Sequence, residues 1–92
     1  MKYKDSDIVI SYPKRSAIGK LKGSLSSLPA YGISAQVMAD LLDESQISPN
    51  KIDQVILGNV LSSGQGMNPA KKSAINAGLG NEIIAFNINQ VC

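Results

Sequence analysis

Residues 55–61, Val-Ile-Leu-Gly-Asn-Val-Leu, form a nearly continuous apolar run with no alternation of polar and apolar positions. A half-exposed strand alternates, whereas a strand apolar on both sides has to be covered on both, as happens in a parallel sheet flanked by helices. The segments around this run have the lengths and periods such a fold needs. Strands are expected at about 7–11, around Ile8-Val9-Ile10, at 54–61 and at 83–89. Pro13 removes a backbone donor and ends the first. In the third, Ile84, Phe86 and Ile88 share one face and Ala85, Asn87 and Asn89 the other.

Helices are expected at about 29–45 and 69–77. Tyr31, Ala35, Met38 and Leu42 fall in one stripe of the first helix, opposite Gln36, Asp40, Asp43 and Glu44, which read as a solvated face. Asn68 is placed to cap the second helix, Pro69 to begin it and Gly78 to close it, and Ala70, Ser73, Ala74 and Ala77 make one of its sides narrow enough for close packing. Ser48-Pro49 suits one short turn through Ile52, and the Gly-, Ser- and Lys-rich stretch 14–30 reads as loop. The fold class is therefore α/β, in the order β-α-β-α-β with a mostly parallel sheet. Right-handed crossovers bring the strand ends leading to Ser11, Leu61 and Cys92 to one edge, where such folds place chemistry.

Ninety-two residues with 43% apolar content suffice for one small core. A net charge of +2 with scattered lysines gives no basic stripe, which argues against nucleic acid and an anionic membrane as partners. The three apolar residues Ile8 to Ile10 fall short of the roughly 7 to 15 of a signal peptide, and no stretch is long and apolar enough to span a membrane. One cysteine and no histidine leave no internal disulfide and no usual zinc ligand set, so a cytoplasmic setting and the absence of a bound metal are expected. Without histidine the chain also lacks a side chain that titrates near neutrality unaided.

Cys92 directly follows the third strand, where a strand-to-helix turn would come if the chain continues. A thiol at a helix N-terminus is activated by the aligned amides, although a single cysteine also suits the role of a small buried hydrophobe. Two other patterns compete. Gly66-Met67-Asn68-Pro69-Ala70-Lys71-Lys72-Ser73 is close to a phosphate-binding P-loop, but Lys71 stands where glycine is required and Pro69 removes an amide. Gly64-x-Gly66 begins like a dinucleotide fingerprint, but Pro69 takes the place of the third glycine. A tight turn accounts for both glycines, and a solvated helix face for Lys71 and Lys72.

The sequence resembles the thiolase family at several separated places. Arg15-Ser16-Ala17-Ile18-Gly19, with Gly23 four residues on, is similar to the family's segment after the first strand, with Ser16 and Ala17 departing from its usual Thr-Pro. Gly58-Asn59-Val60-Leu61 and Gly64-Gln65-Gly66-Met67-Asn68-Pro69-Ala70 resemble its second strand, glycine-rich loop and second helix. Asn89-Gln90-Val91-Cys92 matches its Asn-x-x-Cys. The match covers the chain from Ile8 onward.

The resemblance implies that Cys92 is the nucleophile that takes an acyl group from acyl-CoA as an enzyme thioester. The family joins that group to the carbanion of a second acetyl-CoA, or runs the reverse cleavage, with a downstream histidine and a second downstream cysteine. Coenzyme A thioesters would be substrates, with no cofactor, a place in fatty acid metabolism and a homo-oligomer through the outer edge of the third strand. The chain would be the N-terminal part of an incomplete half-domain, with the later strands and a buried helix missing and its apolar faces uncovered. Alone it is expected to be inactive, because most donors to the thioester oxygen lie beyond it, and loss of even one such donor typically costs ~100- to 1000-fold in rate. The alternative is a non-catalytic small binding or structural module, or a gene remnant, derived from a thiolase.

Overall fold

A computed structural model describes residues 2–91. Its elements are α1 (Ala30–Ser45), a 3-10 turn (Pro49–Lys51), β1 (Gln54–Gly58), α2 (Pro69–Asn76) and β2 (Ile84–Ile88). The two strands pair in parallel, with Gln54 opposite Ile84 and Gly58 opposite Ile88, and α2 provides the crossover between them.

Each boundary has a local cause. The backbone of α2 starts at Pro69, whose missing N–H is no loss at a helix start, and the Asn68 side chain accepts the Lys71 N–H at 3.1 Å. At its other end Gly78 takes φ 102, a conformation that costs glycine little. The Gly78 N–H then reaches the Ile75 carbonyl and the Leu79 N–H the Ala74 carbonyl, each at 3.0 Å, the paired bonds of a Schellman ending. Helix α1 ends at Gln46, which turns left-handed with φ 57.

The core is built from Val55, Ala74, Leu79 and Ile83, with Met38, Leu42, Ile52 and Ala85 packed against it. Met38 and Leu42 come from the apolar stripe of α1. Ala70, Ser73 and Ala74 are fully buried on α2. Small side chains let α1 approach α2 closely, and the Ser73 hydroxyl lies 2.5 Å from that of Ser34 and donates to the Tyr31 carbonyl at 3.1 Å. A buried hydroxyl is tolerated there because it is satisfied within α1.

Three expectations need correction. Residues 7–11 carry no regular element, and Ile8 and Ile10 are 99% and 102% exposed. A strand is stabilised by its ladder and cross-strand neighbours, and no described segment pairs with these residues. The run from Val55 is covered on one face only, with Val55 8% and Ile56 53% exposed. Ile56, Ile84, Phe86 and Ile88 form the bare apolar face of the sheet, while α2 lies against the Ala85 and Asn87 face. Finally, both strands are shorter than expected, because the five-residue ladder ends at the Gly58–Ile88 pair and only the Asn59 N–H to Ile88 carbonyl bond (3.0 Å) continues it.

The acidic face of α1 is not simply solvated. Lys14 reaches from the preceding loop to Asp40, at 3.0 Å, and to Glu44, and these two hydrogen bonds, that to Glu44 the larger, raise its pKa above the ordinary 10.5. The raised value means that this tie stabilises the fold fully below the unfolded-state value and is lost as pH climbs through the folded-state value. Lys14→Met is expected to lower the melting temperature at pH 7, with the gap to the parent closing above pH 10.5 and shrinking with added salt. Ser73→Ala is expected to cost about 1 kcal/mol and Ala74→Leu about 1–3 kcal/mol by overpacking, both read from urea unfolding.

Candidate functional site

Parallel pairing brings the C-terminal ends of β1 and β2 to the same edge, so residues 59–67 after β1 and 89–91 after β2 emerge side by side. Cys92, the one site residue expected from sequence, lies outside the described residues. What the structure gives is the frame that leads to it. Residues 7–11 form no strand, so the edge is defined by two strand ends and not three.

The loop after β1 is held by its own amides. Asn59 donates to the Gln65 side chain at 3.2 Å, and Gln65 donates from its side chain to the Leu61 carbonyl at 2.8 Å. Gly64 and Gly66 take φ 79 and 88, so the tight-turn reading of these glycines describes their backbone. At Gly66 a Cβ would also meet the Lys72 Nζ at 3.2 Å. Lys72 sits over the Tyr31 ring at 4.5 Å and reaches the Gln65 carbonyl at 3.4 Å, which links α1, α2 and the loop.

The strongest polar feature joins α2 to β2. Asn68 donates to the Ala85 carbonyl at 3.0 Å, and its side-chain oxygen accepts both the Lys71 N–H and the Asn87 side-chain N–H, at 3.1 and 3.0 Å. The Asn87 side-chain oxygen in turn accepts the Ala70 N–H at 3.1 Å. Beyond it, Asn89 donates to the Val60 carbonyl at 3.4 Å and accepts the Val91 N–H at 3.0 Å, and Val91 has a left-handed backbone with φ 57. A β-branched residue rarely adopts that conformation, so the chain immediately before Cys92 is held in a constrained form.

This arrangement decides between the competing motifs. A phosphate cradle needs free amides at the helix start and a lysine aimed at them. Here the Ala70 and Lys71 amides are taken by Asn87 and Asn68. The lysine of the pattern, Lys72, is turned to the Tyr31 ring and the Gln65 carbonyl, and the Lys71 ammonium reaches the Asn81 and Ile83 carbonyls, at 2.6 and 2.5 Å. Lys71 is therefore a half-buried structural tie and not the solvated charge expected from sequence, whereas Lys72 is exposed, as expected, while resting on the Tyr31 ring. Asn68 and Asn87 were legible only in part: the cap role of Asn68 follows from its place before Pro69, whereas Asn87 is signalled only by a polar residue in a strand face. Among the described residues no cluster of histidine, cysteine or carboxylate suits a metal, and no helix is long and apolar enough to cross a membrane.

Residues 8–92 match the family description "Thiolase, N-terminal domain". The chain is 45% identical over 87 residues to a "Probable acetyl-CoA acyltransferase" of Staphylococcus epidermidis, covering 95% of this chain. It is 47% identical over 88 residues to an "Acetyl-CoA acetyltransferase" of Allochromatium vinosum, covering 96% of this chain. A "Probable acetyl-CoA acyltransferase" of Staphylococcus aureus is 39% identical over 85 residues, covering 92%. In each case the chain spans 22% of the relative's length. With a β-α-β unit whose strand ends lead to the Asn-x-x-Cys segment, the chain belongs to the thiolase family and corresponds to part of its N-terminal domain.

Proposed function

We propose that this chain supplies the acyl-accepting cysteine, Cys92, of an acyl-CoA acyltransferase of the acetyl-CoA C-acetyltransferase type. The observation that carries this reading is the match to the family's N-terminal domain through residue 92, with β2 ending four residues earlier at the edge of a parallel sheet. In the reaction the Cys92 thiolate attacks the thioester carbonyl of acyl-CoA. The carbon–sulfur bond to coenzyme A breaks, coenzyme A leaves as the thiol with the proton lost from Cys92, and the acyl group stays as a Cys92 thioester. The second step transfers that group to the carbanion of another acetyl-CoA, or, in the opposite direction, coenzyme A cleaves a 3-oxoacyl chain.

Residues outside this chain complete the chemistry, since its 92 residues contain no histidine to accept the thiol proton. The complete protein would then work as a cytoplasmic homo-oligomer in fatty acid metabolism, with coenzyme A thioesters as substrates. By itself this chain is expected to show no turnover.

The test is intact mass spectrometry of the complete protein after incubation with acetyl-CoA. The parent protein is expected to gain one acetyl group and Cys92→Ser none. An adduct that persists in Cys92→Ser, or a parent protein that takes up no acetyl group, contradicts the reading.

A further inference from the structure

Asn87 is an unusual choice for its position. Asparagine is depleted in strands, and a β-branched or aromatic residue would ordinarily fill a place facing a helix. The residue instead makes two directional bonds, donating to Asn68 at 3.0 Å and accepting the Ala70 N–H at 3.1 Å. Apolar contact would tolerate a slide of the strand along α2, whereas two bonds to the first turn of α2 fix both position and rotation. Of the residues that follow, Ile88, Asn89 and Val91 each take part in a hydrogen bond. Ile88 accepts the Asn59 N–H at 3.0 Å, Asn89 donates to the Val60 carbonyl at 3.4 Å, and Val91 donates to Asn89 at 3.0 Å. A shift at Asn87 is thus carried along a constrained segment to the residue after Val91.

We propose that Asn87 is a positioning residue for acyl transfer: by locking the end of β2 onto Asn68, the cap of α2, and Ala70 in its first turn, it sets where the chain delivers Cys92. The inference rests on the acyl-cysteine reading above. It concerns the rate of acylation and not the binding of the thioester, because Asn87 acts through Cys92.

The experiment uses the complete protein with Asn87→Ala, Asn87→Asp and Cys92→Ser. Rapid-quench mass spectrometry measures acetylation of Cys92 by acetyl-CoA, and iodoacetamide labelling of the Cys92 peptide gives its pH–rate profile. Asn87→Ala is expected to slow acetylation on the order of ten- to a hundredfold, the scale of a small misplacement of a reacting group. The KM for acetyl-CoA stays near that of the parent, and the midpoint of the labelling profile moves toward that of an ordinary thiol. Asn87→Asp keeps the acceptor for the Ala70 N–H but loses the donor to Asn68, and is expected to fall between the parent and Asn87→Ala. A purely structural role lowers the melting temperature and leaves rate and profile unchanged, so parent-like values in either variant overturn the inference. If Asn87→Ala does not fold, Asn87→Asp alone decides by the same criterion. Acetylation that persists in Cys92→Ser overturns the acyl-cysteine reading itself, a result distinct from any change at Asn87.

Discussion

The close approach of α2 to its neighbours is the contact on which the rest of the structure depends. Ala70, Ser73 and Ala74 are fully buried, so α2 has almost no side-chain bulk between it and the elements it touches. Ser73 bonds to the Ser34 hydroxyl and the Tyr31 carbonyl, which fastens α1, while Ala74 completes the core with Val55, Leu79 and Ile83. With that many constraints on so short a helix, its two ends become fixed points. One holds the Schellman turn that leads into β2, and the other holds the Asn68–Asn87 pair that fixes where β2 ends.

The fixed start of α2 is also what separates this molecule from a phosphate binder of similar sequence. In both, a glycine-rich loop leads from a strand into a helix. A phosphate site keeps the first amides of the helix open to the ligand. Here two asparagine side chains satisfy those amides, and Lys72, the lysine of the pattern, is drawn to the Tyr31 ring and the Gln65 carbonyl. The amides that would have cradled an anion are used to anchor the strand that leads to Cys92.

Where the sequence was informative, the signal was local. The bounds of α2 follow from Asn68, Pro69 and Gly78 because capping and left-handed closure are decided within a few residues. The stripe of α1 shows in the spacing of Ala35, Met38 and Leu42. What depends on distant partners was not legible. Ile8, Val9 and Ile10 have the composition of a strand, yet composition cannot supply the neighbour that a ladder requires. The bare face formed by Ile56, Ile84, Phe86 and Ile88 follows from which elements are at hand to cover it, and the chain spans 22% of the length of its relatives. The ties of Lys14 and Lys71 were not legible because their partners lie 26 and 10 to 12 residues away. Cys92 itself was singled out by its place after β2 and by the Asn-x-x-Cys pattern, which is a sequence inference from beginning to end.

The central claim is that acyl transfer passes through a covalent thioester on Cys92, and isotope exchange tests it most directly. The complete protein would be incubated with acetyl-CoA and labelled coenzyme A. A thioester intermediate predicts that label enters the acetyl-CoA pool with the parent protein and does not with Cys92→Ser. No exchange with the parent protein, or exchange that proceeds equally well in Cys92→Ser, would contradict the account.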